Sequence, residues 1–504
     1  MFTSPEAATV LPSMIVAAYT WSEFLRDLHE ISWFIGEMLF THLSAWVGFL
    51  LALLITARLV IEKRNPSNVF AWGMIIFFLP YIGVPLYFLF GGRKSKRMAA
   101  NKKAILELAM QVAGQPDSMA SLEGACPRTV SPRRKFNGNS FEFLYDRAGV
   151  TYFEAMLREI REAQTSIHIM TYILGRDETG RRLVQALAER AAAGVEVKLL
   201  IDAVGSLGRA GGFVKPIRDA GGKVARFMPV LPIHTKTSAN LRNHRKIAIF
   251  DGKRALVGGQ NLDNRFTGPT ADPARFVDFS VMISGPAVAP FNRIFVSDWC
   301  FASGDKPTDY RELLTLAPEP QGNEVAEILA SGPDTENDPL WERLVTMVQE
   351  ARKQITIVTP YFVPDEVLFR SLMVKAHNSL PIRLILPEKS NQSLVDIARH
   401  HFLRQLHKAG VEILFYTPGM VHAKLFIADH EIAMIGSANV DMRSLFLNFE
   451  VGVLHTTPEP VRAFEGFITE LLPDCVEYSQ SEHYRATDNR RIMEDFAHLL
   501  VPLL

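Results

Sequence analysis

Four residue types recur at one spacing in two distant places. His244, Lys246, Asp251 and Asn261 stand as HxKx4Dx6GGxN, and His422, Lys424, Asp429 and Asn439 stand as HxKx4Dx6GSxN. An imidazole beside a fixed cation and a neutral amide donor suits phosphoryl transfer. Attack at a phosphodiester concentrates charge on the non-bridging oxygens, and preplaced lysine and asparagine donors stabilise that charge. One imidazole can attack phosphorus to form a phosphohistidine, while the other protonates the departing alkoxide and then takes the proton of the incoming alcohol. Two histidines in opposite protonation states are needed, which is a reason for the motif to occur twice. A single histidine is more often a satisfied core or loop residue. Two copies agreeing at His, Lys, Asp, Gly and Asn make coincidence a poor account. The chemistry implies no cofactor and no metal. His400, His401 and His407 fall on one expected helix, Ser393 to Ala409, as a packed or solvated face, and no HExxH spacing occurs.

The elements that must position these residues alternate between helix and strand, twice over. In the first half a helix over Phe153 to Ala163 leads to a strand over Ser166 to Tyr172, then a helix over Arg181 to Ala193 and a buried strand over Val195 to Ile201. The second half repeats this with helix Trp341 to Arg352, strand Ile355 to Tyr361, helix Asp365 to Ala376 and strand Ile382 to Leu386. Each HxK opens a strand, so His and Lys share a face. The Gly258-Gly259 and Gly436-Ser437 pairs are expected to turn the chain and return Asn261 and Asn439 to the same pocket. Pro307 to Glu324, punctuated by Pro307, Pro318, Pro320 and Gly322, reads as the linker between halves. The expected fold is α/β: two similar lobes with mixed sheets flanked by helices, related by an internal pseudo-two-fold.

Bulk properties narrow the partners. Lys and Arg number 54, as do Asp and Glu, and this neutral balance argues against nucleic acid as the substrate. Cys126, Cys300 and Cys475 lie far apart without metal-ligand spacing and read as reduced thiols. Two apolar stretches, Leu43 to Ile61 and Val69 to Phe90, predict a transmembrane hairpin, the second stretch being interrupted by Pro80 and Pro85. Lys63 and Arg64 in the connection are outweighed by Arg93, Lys94, Lys96, Arg97, Lys102 and Lys103 after the second stretch, which places everything beyond Gly91 on the cytoplasmic side. The same cluster could hold anionic headgroups. The expected organisation is an interfacial or disordered segment over 1–39, the hairpin over 40–90, a basic linker over 91–137, lobes over 138–312 and 320–487, and a C-terminal helix over 488–504.

The paired motifs resemble those of the phospholipase D superfamily, and the chain from about Leu43 to Leu504 resembles the bacterial cardiolipin synthases. The likeness extends to "RNPSNVFAWGMIIFFLPYIGVPLYFLFG", "YILGRDETG", "LLIDAVGS", "ISGPAV" with Asp298-Trp299, "TPYFVPDE", the run after Tyr416 and the terminal "LLVPLL". The motifs alone point to the superfamily; their combination with the hairpin points to the synthases. The resemblance implies transfer of a phosphatidyl group between two phosphatidylglycerols in a bacterial cytoplasmic membrane, giving cardiolipin and glycerol. It also implies His244 as nucleophile and His422 as general acid and base. Lys246, Lys424, Asn261 and Asn439 would then bind phosphate, while Asp278 and Glu450 would orient the imidazoles. Asp251 and Asp429 belong to the catalytic motif and are expected to hold the turn after each strand. A hydrolase releasing phosphatidic acid and a non-catalytic lipid-binding scaffold are the competing readings. Asp278 follows Phe276-Val277 where Trp-Arg is commoner in the family. Asn391-Gln392 and His400-His401-Phe402 stand where Ser-Asp and Ser-Tyr-Tyr are commoner, and these departures bear on the acceptor lipid.

Overall fold

The computed structural model describes residues 21–61, 66–90, 94–114, 134–207, 212–229, 241–335, 337–482, 484 and 488–499. The expectations for residues 1–20, Lys63, Arg64, Arg93, Cys126 and the last five residues lie outside these. The chain divides into two units, Met1–Leu86 and Tyr87–Leu504. The first begins with α1 (Trp21–Ile61), a helix of 41 residues that takes in much of the segment expected to be interfacial or disordered. The second apolar stretch is divided at Leu79, giving α2 (Pro66–Phe78) and α3 (Pro80–Phe90), of 13 and 11 residues. Among the described residues no helix is long and apolar enough to cross a membrane. The expected basic linker contains α4 (Lys94–Val112).

The larger unit is built on one sheet. The first lobe supplies β1 (Lys135–Leu144), β2 (Ser166–Thr171), β3 (Glu196–Asp202), β4 (Lys223–Phe227), β5 (Ile247–Phe250), β6 (Arg254–Gly258) and β7 (Ser280–Ser284). The second supplies β8 (Glu324–Ser331), β9 (Ile355–Val358), β10 (Phe362–Val363), β11 (Ile382–Pro387), β12 (Glu412–Tyr416), β13 (Leu425–Ala428), β14 (Ile432–Gly436), β15 (Val440–Asp441), β16 (Glu450–His455) and β17 (Cys475–Glu477). Fifteen strands run in the order β17-β12-β11-β9-β13-β14-β16-β8-β1-β7-β6-β5-β2-β3-β4, and β10 pairs with β15 apart from them. Outward from the antiparallel β1–β8 border, β1-β7-β6-β5-β2-β3-β4 is matched by β8-β16-β14-β13-β9-β11-β12, the internal two-fold in strand order. In each half three parallel strands meet an antiparallel motif strand: β2 pairs with β3 and β5, and β9 with β11 and β13.

Local chemistry explains these elements. The helix Thr151–Glu162 buries Tyr152, Phe153, Met156 and Ile160 along one stripe, the spacing of an amphipathic helix. The helices Glu178–Ala192 and Glu366–His377 start where Asp177 and Asp365 accept N–H bonds from Gly180 and Val367. Every residue of β5, β9 and β13 is buried, because helices cover both sheet faces and the strands read as continuous apolar runs. The stretch expected as linker carries short helices over Pro307–Tyr310 and Arg311–Thr315, so only 316–323 is without regular structure. β1 was not expected, and begins inside the presumed basic linker.

The chain bends at Gly259 and Ser437 after β6 and β14, as expected, and a second pair of turns follows the motif strands. Asp251 and Gly252 have φ of 53° and 65°, and Asp429 and His430 have 59° and 63°, so the tight turns follow the motif strands directly. Gly258 and Gly436 end β6 and β14, where they permit close strand approach. A Cβ on Gly258 would lie 2.3 Å from Ser280 Oγ, and one on Gly436 would lie 2.1 Å from Val451 O. The Asp251 carboxylate accepts N–H bonds from Gln164, Thr165 and Ser166, and Asp429 accepts them from Arg352, Lys353 and Gln354. Burial pushes both carboxyls up, but these amide bonds outweigh it and hold them below the ordinary range. Because the folded value is depressed, the contribution is complete above the ordinary carboxylate pKa of about 3.9 and is lost as pH falls through the lower value. Replacing Asp251 or Asp429 with Ala is expected to cost about 1–3 kcal/mol in denaturant unfolding at neutral pH. The penalty should shrink towards pH 2, while turnover per folded molecule is retained.

Candidate active site

The two lobes meet by exchanging backbone bonds around the motif histidines. His244 N donates to Phe449 O at 2.9 Å and Phe449 N to Arg242 O at 2.9 Å; His422 N donates to Val277 O at 2.7 Å and Val277 N to Met420 O at 2.8 Å. Each crossing makes a short parallel bridge, Asn243 with Phe449 and Val277 with Val421. His244 and Lys246 therefore sit just ahead of β5, and His422 and Lys424 just ahead of β13, where the chain crosses between lobes.

The side chains cross as well. His244 Nδ1 lies 3.0 Å from Glu450 Oε1, and His422 Nδ1 lies 2.7 Å from Asp278 Oδ2, so each imidazole meets the carboxylate of the other lobe. A donor on Nδ1 leaves Nε2 of the neutral ring with its lone pair. Gly259 must be small for this to happen, since a Cβ there would lie 2.6 Å from Asp278 Oδ2. Ser437 holds the matching position, and its hydroxyl donates to Glu450 Oε2 at 2.5 Å. Tyr172 packs edge-on to His244 at 4.9 Å and Phe266 to His422 at 4.8 Å.

Both rings line one pocket of about 180 Å³, together with Asn261, Asn439, Arg242, Arg265, Arg443, Tyr172, Tyr361 and Asn448. Its histidines, arginines and asparagines give a lining suited to an anionic headgroup. Asn261 Oδ1 accepts from Ile173 N, which turns its amide group to the pocket. Asn439 Nδ2 reaches Ser444 Oγ at 3.3 Å, and its buried Oδ1 meets no partner among the described residues. Lys246 Nζ donates to His244 O at 2.7 Å, and Lys424 Nζ stands 3.1 Å from His422 Nε2. Asp251 and Asp429, part of the expected catalytic set, are at the far ends of β5 and β13 and do not line the pocket.

The electrostatics of the two halves differ. Burial lowers the Lys246 ammonium to about 7 and the Lys424 ammonium to about 8. Burial also lowers His244, against the pull of Glu450, and holds His422 well below its ordinary value with the help of Lys424 and Lys246. Asp278 is pushed up to about 6 by burial. Glu450 is pushed up by burial too, but His244, Lys246 and Ser437 outweigh this and hold it below its ordinary value.

Behind the motif lies a buried ion cluster. Arg245 Nη1 donates to both oxygens of Asp298 at 2.9 and 2.8 Å, and Asn243 Nδ2 donates to the same carboxylate at 2.9 Å. Lys102 of α4 completes it, 2.7 Å from Asp298 and 2.9 Å from Asp334, with no exposed surface. The expected use of Lys102 in a headgroup-binding cluster is therefore corrected: its ammonium is spent on two buried carboxylates. The motif spacing also missed Arg265 and Arg443. The repeat in fact runs four residues further, as Asn261-Leu-Asp263-Asn-Arg265 and Asn439-Val-Asp441-Met-Arg443. Of the other histidines, His400 is buried against Tyr478 and His401 pairs with Asp495, and neither they nor His407 line the pocket. Among the described residues no group of three or more His, Cys, Asp or Glu side chains could hold a metal ion.

Two α/β lobes that each bring a histidine and an asparagine to one pocket, with Lys246 and Lys424 buried beside the histidines and outside its lining, define an enzyme of the phospholipase D-like class. A family model described as "Cardiolipin synthase, PLD-like domain" matches residues 156–299 and 344–471, and one described as "Phospholipase_D-nuclease N-terminal" matches 47–92. A cardiolipin synthase of Alkalihalophilus pseudofirmus is 31% identical over 511 residues, 97% of each chain. Another from Geobacillus thermodenitrificans is 31% identical over 461 residues, 88% of this chain and 90% of its own. The chain belongs to the cardiolipin synthase family. In fold it is similar to the crystal structure of phosphatidylserine synthase from Haemophilus influenzae, with a TM-score of 0.56 and 14% identity over 72% of this chain and 94% of that one.

Lys246 and Lys424 are expected to make anion binding pH-dependent. Both folded values are depressed, so each ammonium is charged below its value and neutral above it. Inhibition by inorganic phosphate or vanadate is expected to weaken as pH rises from 6 to 9, first through the loss of Lys246 and then of Lys424. Inhibition constants for sulfate, whose charge stays constant over this range, separate the lysines from the titration of the inhibitor, and a flat sulfate profile would contradict the assignment.

Proposed function

We propose that the chain is a membrane-bound phosphatidyltransferase that converts two phosphatidylglycerols to cardiolipin and glycerol through a phosphohistidine. The observation that carries this reading is that an imidazole from each lobe lines the same pocket, each held at Nδ1 by a carboxylate of the opposite lobe. His244 Nε2 attacks phosphorus, the bond to the departing glycerol oxygen breaks, and His422, entering the step as the imidazolium that the bound phosphodiester anion favours, supplies that oxygen with its Nε2 proton and is left neutral. Lys246, Lys424, Asn261 and Asn439 hold the non-bridging oxygens. The hydroxyl of a second phosphatidylglycerol then gives its proton to His422 as its oxygen bonds to phosphorus and the phosphorus–nitrogen bond breaks. Asp278 and Glu450 fix the tautomers, and Asp251 and Asp429 hold the turns that end the motif strands.

Membrane attachment is assigned to the N-terminal unit. Apolar side chains stand exposed along α1 and beyond, among them Trp33, Leu43, Trp46, Leu54, Phe77, Phe78 and Ile82, a run that water alone does not favour. The sequence over 40–90 supplies two apolar stretches, and the lysines and arginines that follow support cytoplasmic lobes at a bacterial inner membrane. Attachment raises the concentration of acceptor lipid at the pocket, which favours transfer over hydrolysis.

Purified enzyme given phosphatidylglycerol vesicles is expected to yield cardiolipin and glycerol in equal amounts. Phosphatidic acid as the sole product would make it a hydrolase. His244→Ala and His422→Ala are each expected to lower turnover by at least about 10²–10⁴-fold with vesicle binding retained. Unchanged turnover in both would leave only the scaffold reading.

A further inference from the structure

The end of the pocket beside His422 holds a cation that the phosphorus-binding set does not use. Arg265 lies four residues past Asn261, and its Nε donates to both oxygens of Asp263 at 3.1 Å while Nη2 donates to one at 2.5 Å. Nε and Nη2 form one edge of the guanidinium, so Nη1 is the donor directed away from Asp263. The side chain is 48% exposed and lines the pocket, whereas the motif lysines are buried. A guanidinium already held flat by one carboxylate loses little further freedom on meeting an anion, and its planar fork matches phosphate. Its surroundings are polar: Tyr361, whose hydroxyl donates to Asn391 Oδ1, and Gln392.

The transferase reading, on which this inference rests, puts His244 on one face of phosphorus. In-line displacement brings the incoming oxygen to the opposite face, beside His422. The acceptor lipid differs from water and from simple alcohols in one respect: at the far end of its glycerol it carries a second phosphodiester anion. The two lysines and two asparagines are engaged by the phosphate under attack, so the second anion needs a separate partner at the His422 end. We propose that Arg265, held flat by Asp263, binds the phosphodiester of the acceptor lipid and so selects a phosphate-bearing alcohol over water and neutral alcohols. The selected hydroxyl passes its proton to His422 as the new oxygen–phosphorus bond forms, and His244 leaves as a neutral imidazole. Arg265 touches the acceptor away from the reacting atoms, and its contribution is to specificity.

The test is a partition measured within one sample. Full-length enzyme is given phosphatidylglycerol vesicles and a fixed concentration of ethanol, and cardiolipin and phosphatidylethanol are quantified together. Arg265→Ala is expected to lower the cardiolipin-to-phosphatidylethanol ratio about tenfold or more, the scale on which a polar site discriminates against a substrate lacking its partner group. Both products come from the same intermediate, so the ratio does not depend on the fraction of enzyme that folds. Arg265→Gln, which keeps a donor for Asp263 but removes the charge, covers the case in which the alanine variant is not recovered. A wild-type ratio in the recovered variant overturns the assignment. Wild-type enzyme that forms neither lipid product overturns the transferase reading and this one with it.

Discussion

Each motif histidine is held by the other lobe, and the site depends on this exchange. His244 takes its backbone partner from Phe449 and its Nδ1 partner from Glu450, while His422 takes the same pair from Val277 and Asp278. Neither half-site is therefore complete within its own lobe. A carboxylate at Nδ1 settles the tautomer and ring plane of a neutral imidazole, which is what a nucleophile or a proton carrier requires. The geometry survives only while the lobes stay in register, so the continuous sheet through the β1–β8 border is part of the catalytic arrangement.

A second layer stiffens this crossing from behind. Arg245 lies between His244 and Lys246 in sequence, and its guanidinium turns away from the pocket to Asp298, where Lys102 and Asn243 also converge. Charges withdrawn from water are costly unless each is paired, and here one buried carboxylate serves two cations and an amide. The second lobe has Ala423 at the position of Arg245 and lacks this anchor. The two-fold is thus exact enough to build a shared pocket but does not extend to the support behind it.

The same inequality runs through the pocket. Ser437 donates to Glu450 where Gly259 leaves Asp278 with no hydroxyl, and Asn448 lines the pocket at the place where the other lobe has Phe276. Glu450 is held anionic, whereas burial leaves Asp278 near 6. Two copies of one half-site have become chemically distinct ends, as a reaction with different first and second steps needs.

The paired motif and the family were readable from residue order alone. The spacing of His, Lys and Asn is local, and the alternation of helix and strand around it is written in apolar periodicity, so both were legible along the chain. Helix ends agreed to within a few residues, because caps such as Asp177 and Asp365 are local features. Which carboxylate serves which histidine emerged with the packing of the lobes, since the partners are 206 and 144 residues apart and both candidates looked alike in sequence. The packing also sets the glycine pairs to clear space for neighbouring strands and makes Lys102 a core residue. Steric room and burial are properties of what packs around a residue, and no spacing along the chain records them.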